Sequence, residues 1–211
     1  MASDKEIFER VYSKPKAGWT KETPPEELVS LINSGEVTPC KSLDIGCGEG
    51  FYSIYLASKG FDVLGIDFSS KAIEYAAKNA IMADSTAGFM QMDIKSLLAM
   101  VEMGDHYGFV LEWSLLHHIH PMERKAYIDD LSRIVNRGGK YLATCFNPES
   151  KEAQNRKEIT SPIGTKLYYS TLEELETLYS THFDIIEKKL FDFEAPKGTT
   201  HTYNYFFMQK K

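Results

Sequence analysis

Residues 42–50, Ser-Leu-Asp-Ile-Gly-Cys-Gly-Glu-Gly, decide the fold of this 211-residue chain. The apolar residues before Gly46 predict a buried β-strand, and the alternate glycines Gly46, Gly48 and Gly50 predict a tight turn that lets the backbone lie close against a ligand. A helical pattern follows over residues 51–59. A strand, a glycine turn and a helix in this order are typical of an open α/β sheet, in which ligands bind at the carboxyl ends of the strands.

Short apolar runs alternate with helical patterns along the next hundred residues, which predicts an α/β domain with a mainly parallel sheet. Ser69 or Ser70 is the expected N-cap of a helix that continues through Asn79. Pro121 opens a longer helix, which we expect Gly138-Gly139 to stop. The five predicted strands cover residues 42–46, 61–67, 88–92, 107–111 and 140–146.

The chain changes character after the fifth predicted strand. Residues 147–166 are polar and lack periodicity, so we expect a long loop or lid there. Residues 170–174, Ser-Thr-Leu-Glu-Glu, have the pattern of a capped helix start. Residues 183–193 and 203–208 then predict two strands without a helix between them. Because the connection 194–198 is rich in turn residues, we expect these strands to be antiparallel neighbours.

Composition restricts the classes of function. The net charge of -6 provides no general attraction for phosphate backbones or anionic lipid, so nucleic acid is disfavoured as a partner and no membrane is expected. The three cysteines show no paired spacing, which indicates reduced thiols rather than a disulfide framework. The first ten residues contain no apolar signal region, and we expect a cytoplasmic protein.

The acidic residues beside the glycine turn distinguish two kinds of cofactor. Dinucleotide sites use Gly-x-Gly-x-x-Gly and direct a helix N-terminus at a pyrophosphate. Here the third glycine comes one residue earlier, and Asp44 and Glu49 place negative charge beside the turn. Both features favour a cationic ligand without phosphate, such as S-adenosylmethionine, which carries a sulfonium and an ammonium group.

Two further acids follow predicted strands. Asp67 ends the second strand, about 20 residues after the glycine turn, where a carboxylate can accept from both ribose hydroxyls. Phe68 follows it and could cover one face of an adenine, or belong to the core. Asp93 ends the third strand and could accept from an adenine amino group, with backbone amides of Asp93 or Ile94 donating to the ring. Taken alone, Asp93 would more often be a surface or capping acid, but as the third acid at a third strand end it is better explained as a ligand-binding residue.

These residues resemble the class I S-adenosylmethionine-dependent methyltransferases over about residues 40–147. The motifs that carry the resemblance are residues 42–50, Gly65-Ile66-Asp67-Phe68-Ser69, Met92-Asp93 and Gly138-Gly139. The resemblance implies a Rossmann-like three-layer α/β/α sandwich. Its sheet has seven mostly parallel strands in the order 3-2-1-4-5-7-6, and one strand of its terminal hairpin is antiparallel.

The resemblance also implies how the cofactor is held. Asp44 and the glycines would hold the methionine part, Asp67 the ribose and Asp93 the adenine end. The family often has Asp or Asn at the end of the fourth strand, whereas this chain has Glu112, which keeps the charge but reaches further. The implied cofactor contacts are Asp44, Gly46, Cys47, Gly48, Gly50, Asp67, Phe68, Met92, Asp93, Ile94 and Glu112.

Candidate acceptor residues cluster after the fourth strand and in the N-terminal segment. His117 or His118 could serve as a catalytic base, or simply line a pocket; adjacent histidines have poor geometry for a metal, and none is expected. The aromatic residues of the N-terminal segment resemble those that close over the site in thiopurine, thiol and tellurite-resistance methyltransferases, although they could instead pack on the sheet. The candidate pocket residues are Tyr12, Trp19, Trp113, His117 and Tyr168.

We therefore expect a single-domain methyltransferase acting on a small-molecule acceptor at sulfur, oxygen or nitrogen by in-line displacement. S-adenosylhomocysteine would be the product. A non-catalytic sensor or partner protein that only binds the cofactor is an alternative, and a nicotinamide-dependent oxidoreductase is a less favoured one. The expected divisions are an N-terminal cap over residues 1–39, a cofactor-binding core over 40–147, and a loop, helix and terminal hairpin over 148–211.

Overall fold

A seven-stranded sheet lies at the centre of the computed structural model. The structure describes residues 3–14, 16–195 and 198–211, and of Thr199 it describes the backbone only. The strands are β1 Lys41–Ile45, β2 Asp62–Asp67, β3 Gly88–Gln91, β4 Tyr107–Trp113, β5 Val135–Phe146, β6 Glu158–Thr160, β7 Lys166–Tyr168, β8 Phe183–Ala195 and β9 Thr199–Lys210. The α-helices are α1 Asp4–Val11, α2 Glu26–Asn33, α3 Phe51–Ser58, α4 Ser70–Met82, α5 Leu97–Glu102, α6 Pro121–Ile134 and α7 Leu172–Tyr179.

The sheet has the predicted topology. Its order is β3-β2-β1-β4-β5-β9-β8, in which β1 to β5 are parallel and β9 is antiparallel to both of its neighbours. Because β8 and β9 are the sixth and seventh strands of this sheet, the order is the expected 3-2-1-4-5-7-6. The predicted connecting turn at 194–198 lies partly outside the described residues, which do not include 196 and 197.

The small hairpin β6–β7 lies within residues 147–166, where a long loop or lid was expected. These two strands pair only with each other, with Ile159 opposite Leu167, and they form a separate two-stranded sheet. A strand of three residues is too short to produce a recognisable alternation in the sequence. The segment is therefore built from local turns and a hairpin rather than from an open loop.

Two of the expected helix boundaries are confirmed and one is wrong. Ser69 is the N-cap of α4, with its side chain accepting from the Ala72 amide, and Thr171 begins α7 with a capping box. The helix that begins at Pro121 ends at Ile134, before the glycine pair that was expected to stop it. Val135 already pairs with β4, and Gly138, at a φ of 76°, lies within β5.

Helices cover both faces of the sheet, which gives the expected three layers. On one face α5, α6 and α7 pack against strand residues such as Leu43 and Val110. On the other face α2 and α3 pack against residues such as Phe109 and Phe207. Because strand side chains alternate between these two cores, the strand residues left free to form a site lie at the edge of the sheet where the parallel strands end.

Gly65, in the middle of β2, lies in close contact with the neighbouring layers. A Cβ at this position would stand 2.8 Å from both the Phe89 ring and the Ser53 hydroxyl. We therefore expect Gly65→Ala to lower the free energy of unfolding by about 1–3 kcal/mol through overpacking, measured by urea denaturation. Gly88→Ala in β3 is the matched control, since its Cβ would meet nothing nearer than 3.7 Å. Equal effects of the two substitutions would contradict the prediction.

Candidate functional site

The glycine loop leaves β1 and turns sharply against β2. The amides of Gly46 and Cys47 donate to the Ile66 carbonyl at 2.8 and 3.0 Å, which joins the loop to the second strand. Gly46 and Gly48 have φ of 73° and 54°, a left-handed conformation that favours glycine. A Cβ at Gly48 would stand 3.0 Å from the Tyr12 hydroxyl. The loop therefore needs glycine for its backbone shape and for the close approach of the N-terminal segment.

Gly50, a predicted cofactor contact, has a different role. It is buried and lies outside the lining of the cavity beside the loop. A Cβ there would come within 2.7 Å of the Phe89 ring and 2.9 Å of the Ala76 side chain. The missing side chain thus allows α3, α4 and β3 to pack closely, and Gly50, unlike Gly46 and Gly48, does not line the cavity.

Two carboxylates are buried beside this loop. Asp44 is 2% exposed and accepts from the Ser53 hydroxyl at 2.6 Å. Asp67 is 7% exposed and accepts from the amides of Gly48 at 3.1 Å and Ser69 at 2.9 Å. Burial raises the pKa of Asp44 to about 7 and that of Asp67 to about 6. Neither carboxylate forms an ion pair with any described residue.

Both carboxylates line a cavity of 1690 Å³. The other predicted cofactor residues found in its lining are Gly46, Cys47, Gly48, Phe68, Met92, Asp93 and Ile94. Asp93 also accepts from the Lys95 amide at 3.0 Å, so it caps the short 3-10 helix Ile94–Ser96 while lining the cavity. The volume exceeds the 300–1,000 Å³ common for a single small-ligand site, which leaves room for a second molecule.

Glu112 does not reach the cavity, which corrects the cofactor contact predicted for it. It is fully buried, and one carboxyl oxygen accepts from the hydroxyls of Tyr127 at 2.5 Å and Tyr141 at 2.7 Å. Burial raises its pKa. Because side chains alternate along β4, Glu112 points to the face covered by α6, whereas the next residue, Trp113, lines the cavity.

The N-terminal segment is fastened to the glycine loop by Glu49, which is 6% exposed. One carboxyl oxygen accepts from the Lys16 amide at 2.9 Å and the other from the Thr20 hydroxyl. Glu9 of α1 accepts from the amides of Ser70 at 2.6 Å and Lys71 at 3.3 Å, at the start of α4. Sequence reasoning missed these anchors, since their partners lie up to 62 residues away.

Aromatic residues of the N-terminal segment meet the cofactor side of the cavity. Trp19 donates from its indole to the Tyr12 hydroxyl at 3.1 Å. The Phe8 ring packs edge-on against Trp19, Phe68 and His118, with centroid distances of 5.6, 5.3 and 5.1 Å. Tyr12, Trp19 and Phe68 all line the cavity, and Phe8 joins Trp19 to Phe68.

The two predicted histidines lie at the junction between this cluster and the rest of the cavity. His117 stacks on Phe146 at 3.9 Å between ring centroids, and the His118 ring is 4.5 Å from His117. Burial lowers the pKa of His117 well below its usual value and that of His118 to about 4. Both are therefore neutral at pH 7. Their Nδ1 atoms have no hydrogen-bond partner in the described part of the chain.

Tyr168 is absent from the lining of the cavity, and Tyr169 takes the place predicted for it. Tyr168 packs against His120, and its carbonyl accepts from Arg124. Alternation explains the difference, because Leu167 and Tyr169 share the face that the cavity contacts. The sequence could not establish which of these two adjacent tyrosines points inward.

Sequence reasoning also missed four residues that line the far side of the cavity. Phe146 ends β5 at the same edge as the predicted acids, a position that could have been recognised. His201 and Tyr203 come from β9, which starts at this edge because it runs antiparallel to β5. Glu152 follows β5 and is hydrogen-bonded to His201.

Among the described residues no helix is both long and apolar enough to cross a bilayer. The same residues contain no group of three or more His, Cys, Asp or Glu side chains placed to hold a metal ion.

The chain is similar to known methyltransferases. Residues 43–139 match the family model of a methyltransferase domain. An uncharacterised methyltransferase of Schizosaccharomyces pombe is 30% identical over 114 residues, which are 54% of this chain and 77% of the relative. The 2-heptyl-1-hydroxyquinolin-4(1H)-one methyltransferase of Mycobacteroides abscessus is 26% identical over 142 residues, 67% of this chain. The match spans 60% of that enzyme, less than two thirds of its length.

The fold is shared with solved methyltransferase structures. The 1,6-didemethyltoxoflavin-N1-methyltransferase of Burkholderia thailandensis superposes with a TM-score of 0.76 at 18% identity, over 100% of this chain and 92% of that one. At this level of identity the likeness concerns the fold alone.

The raised pKa of Asp44 makes the stability of the ligand-free protein depend on pH. An unfolded aspartate titrates near 3.9, so the stabilisation from this group is complete below that pH and is lost as the pH rises through about 7. We expect Asp44→Asn to raise the free energy of unfolding at pH 8 by about 1–3 kcal/mol, with little gain at pH 4.5. Urea denaturation at both pH values measures this. A loss of stability at pH 8 would refute it, and the exposed Asp62→Asn is the control.

Glu49→Gln should loosen the N-terminal segment. The substitution keeps the shape of the side chain but removes the negative charge that strengthens its bonds to Lys16 and Thr20. We expect amide hydrogen exchange over residues 16–20 to become about three- to tenfold faster, as measured by mass spectrometry. Glu22→Gln is the control because it removes only the exposed ion pair with Lys16. Unchanged exchange in Glu49→Gln would rule out the anchoring role.

Proposed function

Because the chain belongs to the class I S-adenosylmethionine-dependent methyltransferases, we propose that it transfers the cofactor's methyl group to a small-molecule acceptor. The observation that carries this proposal is the pair of buried carboxylates, Asp44 and Asp67, at the glycine loop. Buried acids without an opposite charge are costly. A cationic ligand would offset that cost, whereas a pyrophosphate would increase it.

The residues present fit S-adenosylmethionine. Gly46 and Gly48 leave space that a Cβ would fill beside Leu115 and Tyr12. Asp44 would face the charged methionine part, and Asp67 would accept from the ribose, while Asp93 and the aromatic ring of Phe68 would hold the adenine. When bound, this cofactor supplies a sulfonium methyl group that an acceptor atom displaces in line.

The chain's own contribution is to orient the acceptor and exclude water. The N-terminal segment, anchored through Glu49, would hold Tyr12 and Trp19 over the loop, as in the thiopurine, thiol and tellurite-resistance enzymes that its aromatic residues resemble. His117 and His118 would line the acceptor position as neutral imidazoles. A base works best when its pKa lies near the working pH, so the lowered pKa values favour a binding role over proton removal.

Three features support a small acceptor rather than a macromolecule. The cavity extends beyond the cofactor residues to a far side lined by Phe146, Tyr169 and Tyr203. The net charge of -6 opposes binding to nucleic acid. One curated relative is a methyltransferase of a hydroxyquinolone, which is a small heterocycle. Sulfur, oxygen and nitrogen acceptors all suit the proposal.

Isothermal titration calorimetry with S-adenosylmethionine, S-adenosylhomocysteine and NAD tests the cofactor assignment. We expect both adenosyl ligands to bind and NAD not to bind. Asp67→Asn should weaken adenosyl-ligand binding by about 10-fold or more, through loss of charge-assisted hydrogen bonds. Asp62→Asn, at the exposed start of the same strand, should leave it unchanged. Binding of NAD with no binding of the adenosyl ligands would overturn the proposal.

A second assay separates an enzyme from a protein that only senses the cofactor. We expect S-adenosylmethionine to be converted to S-adenosylhomocysteine in the presence of a panel of thiols, phenols and amines, and liquid chromatography measures the product. Tight cofactor binding with no turnover on any acceptor of the panel would favour the sensor instead.

A further inference from the structure

Six aromatic rings from separate segments form a continuous surface on the far side of the cavity. This aromatic wall consists of Trp113, His117, Phe146, Tyr169, Phe193 and Tyr203, all of which line the cavity. Neighbouring centroids are 5.8 Å apart for Trp113 and Phe193, 5.5 Å for Phe193 and Tyr203, and 4.9 Å for Tyr203 and Phe146. Phe146 also stacks on Tyr169 at 5.4 Å with an interplanar angle of 18°.

The aromatic wall is joined to the cofactor side of the cavity. His117 stacks on Phe146, and its neighbour His118 packs against Phe8, which also contacts Phe68. A molecule on the wall therefore lies in the same space as the cofactor residues. Ring faces and edges interact favourably with another flat aromatic molecule, beyond the gain from burying apolar area. A saturated molecule of equal size would lack that additional interaction.

One polar pair lies within this aromatic surface. His201 packs against Phe146 with ring centroids 4.9 Å apart, and its Nδ1 is hydrogen-bonded to the Glu152 carboxylate. Both side chains are largely buried, with 18% and 27% exposed, and both line the cavity. A carboxylate at Nδ1 favours the imidazole tautomer with its proton on that nitrogen. Nε2 is then an acceptor, and no described residue donates to it.

We propose that the methyl acceptor is a planar aromatic compound with a hydroxyl or ring N–H group. Its rings lie on the aromatic wall, and that group donates to Nε2 of His201. This inference rests on the proposed methyltransferase function. During transfer the new O–CH₃ or N–CH₃ bond forms as the S–CH₃ bond breaks with its electrons left on sulfur. The acceptor's proton passes to Nε2 of His201, while Glu152 holds the proton on Nδ1.

Titration calorimetry on protein saturated with S-adenosylhomocysteine tests the aromatic preference. The probes are 2-naphthol and its saturated counterpart decahydro-2-naphthol. We expect 2-naphthol to bind at least about fivefold more tightly, and Phe146→Leu to remove most of that preference. The affinity for S-adenosylhomocysteine should stay within about twofold in the variant, which shows that it is folded. Equal binding of the two probes to the wild type, or an unchanged preference in Phe146→Leu, would overturn the inference.

A second pair of probes tests the contact with His201. The wild type should bind 2-naphthol about 3- to 10-fold more tightly than 2-methoxynaphthalene, which cannot donate. His201→Phe keeps a ring beside Phe146 and should make the two affinities equal, whereas the exposed His106→Phe should change neither. A preference that survives in His201→Phe would overturn the assigned contact. Failure of S-adenosylhomocysteine to bind at all would instead count against the proposed function, because the probes can be titrated without it.

Discussion

The structure depends on two acids buried next to each other at the ends of adjacent strands. Asp44 and Asp67 are almost fully removed from water, and hydrogen bonds from Ser53, Gly48 and Ser69 only partly replace their hydration. Their raised pKa values express the remaining cost, which the ligand-free protein carries at neutral pH. A ligand with fixed positive charge converts that cost into binding free energy. On the proposed function, the charge of these two carboxylates alone would favour a cationic cofactor.

Two other acids near the glycine loop, Glu9 and Glu49, have a structural role. Glu9 and Glu49 accept hydrogen bonds from backbone amides and a hydroxyl, and they attach the N-terminal segment to α4 and to the glycine loop. The loop that would hold the cofactor is thus also the point at which the covering segment is fastened. A change that makes the glycine loop more mobile should therefore also make residues 16–20 more mobile, and the reverse.

Much of the fold, and the grouping of three acids around one cavity, could be predicted from the sequence because the relevant signals are local. Parallel strands end at one edge, so Asp44, Asp67 and Asp93 could be grouped without knowing any contact. The errors concern side chains in or beside strands, where a shift of one residue moves a side chain to the opposite face of the sheet. Glu112 is an example, because it points to the face covered by α6 and not into the cavity. His201 could not be anticipated because an antiparallel strand begins, rather than ends, at the site, and nothing local in the sequence marks that edge.

We infer that the carboxylates of Asp44 and Asp67, partly protonated in the ligand-free site, become fully ionised when the cationic cofactor binds. Calorimetric titration of S-adenosylmethionine at pH 6.5, in buffers with different ionisation enthalpies, counts the protons exchanged on binding. Since the pKa values of Asp44 and Asp67 lie at about 7 and about 6, we predict a net release of about one proton, reduced in Asp44→Asn. No exchange, or an uptake of protons, would contradict the account.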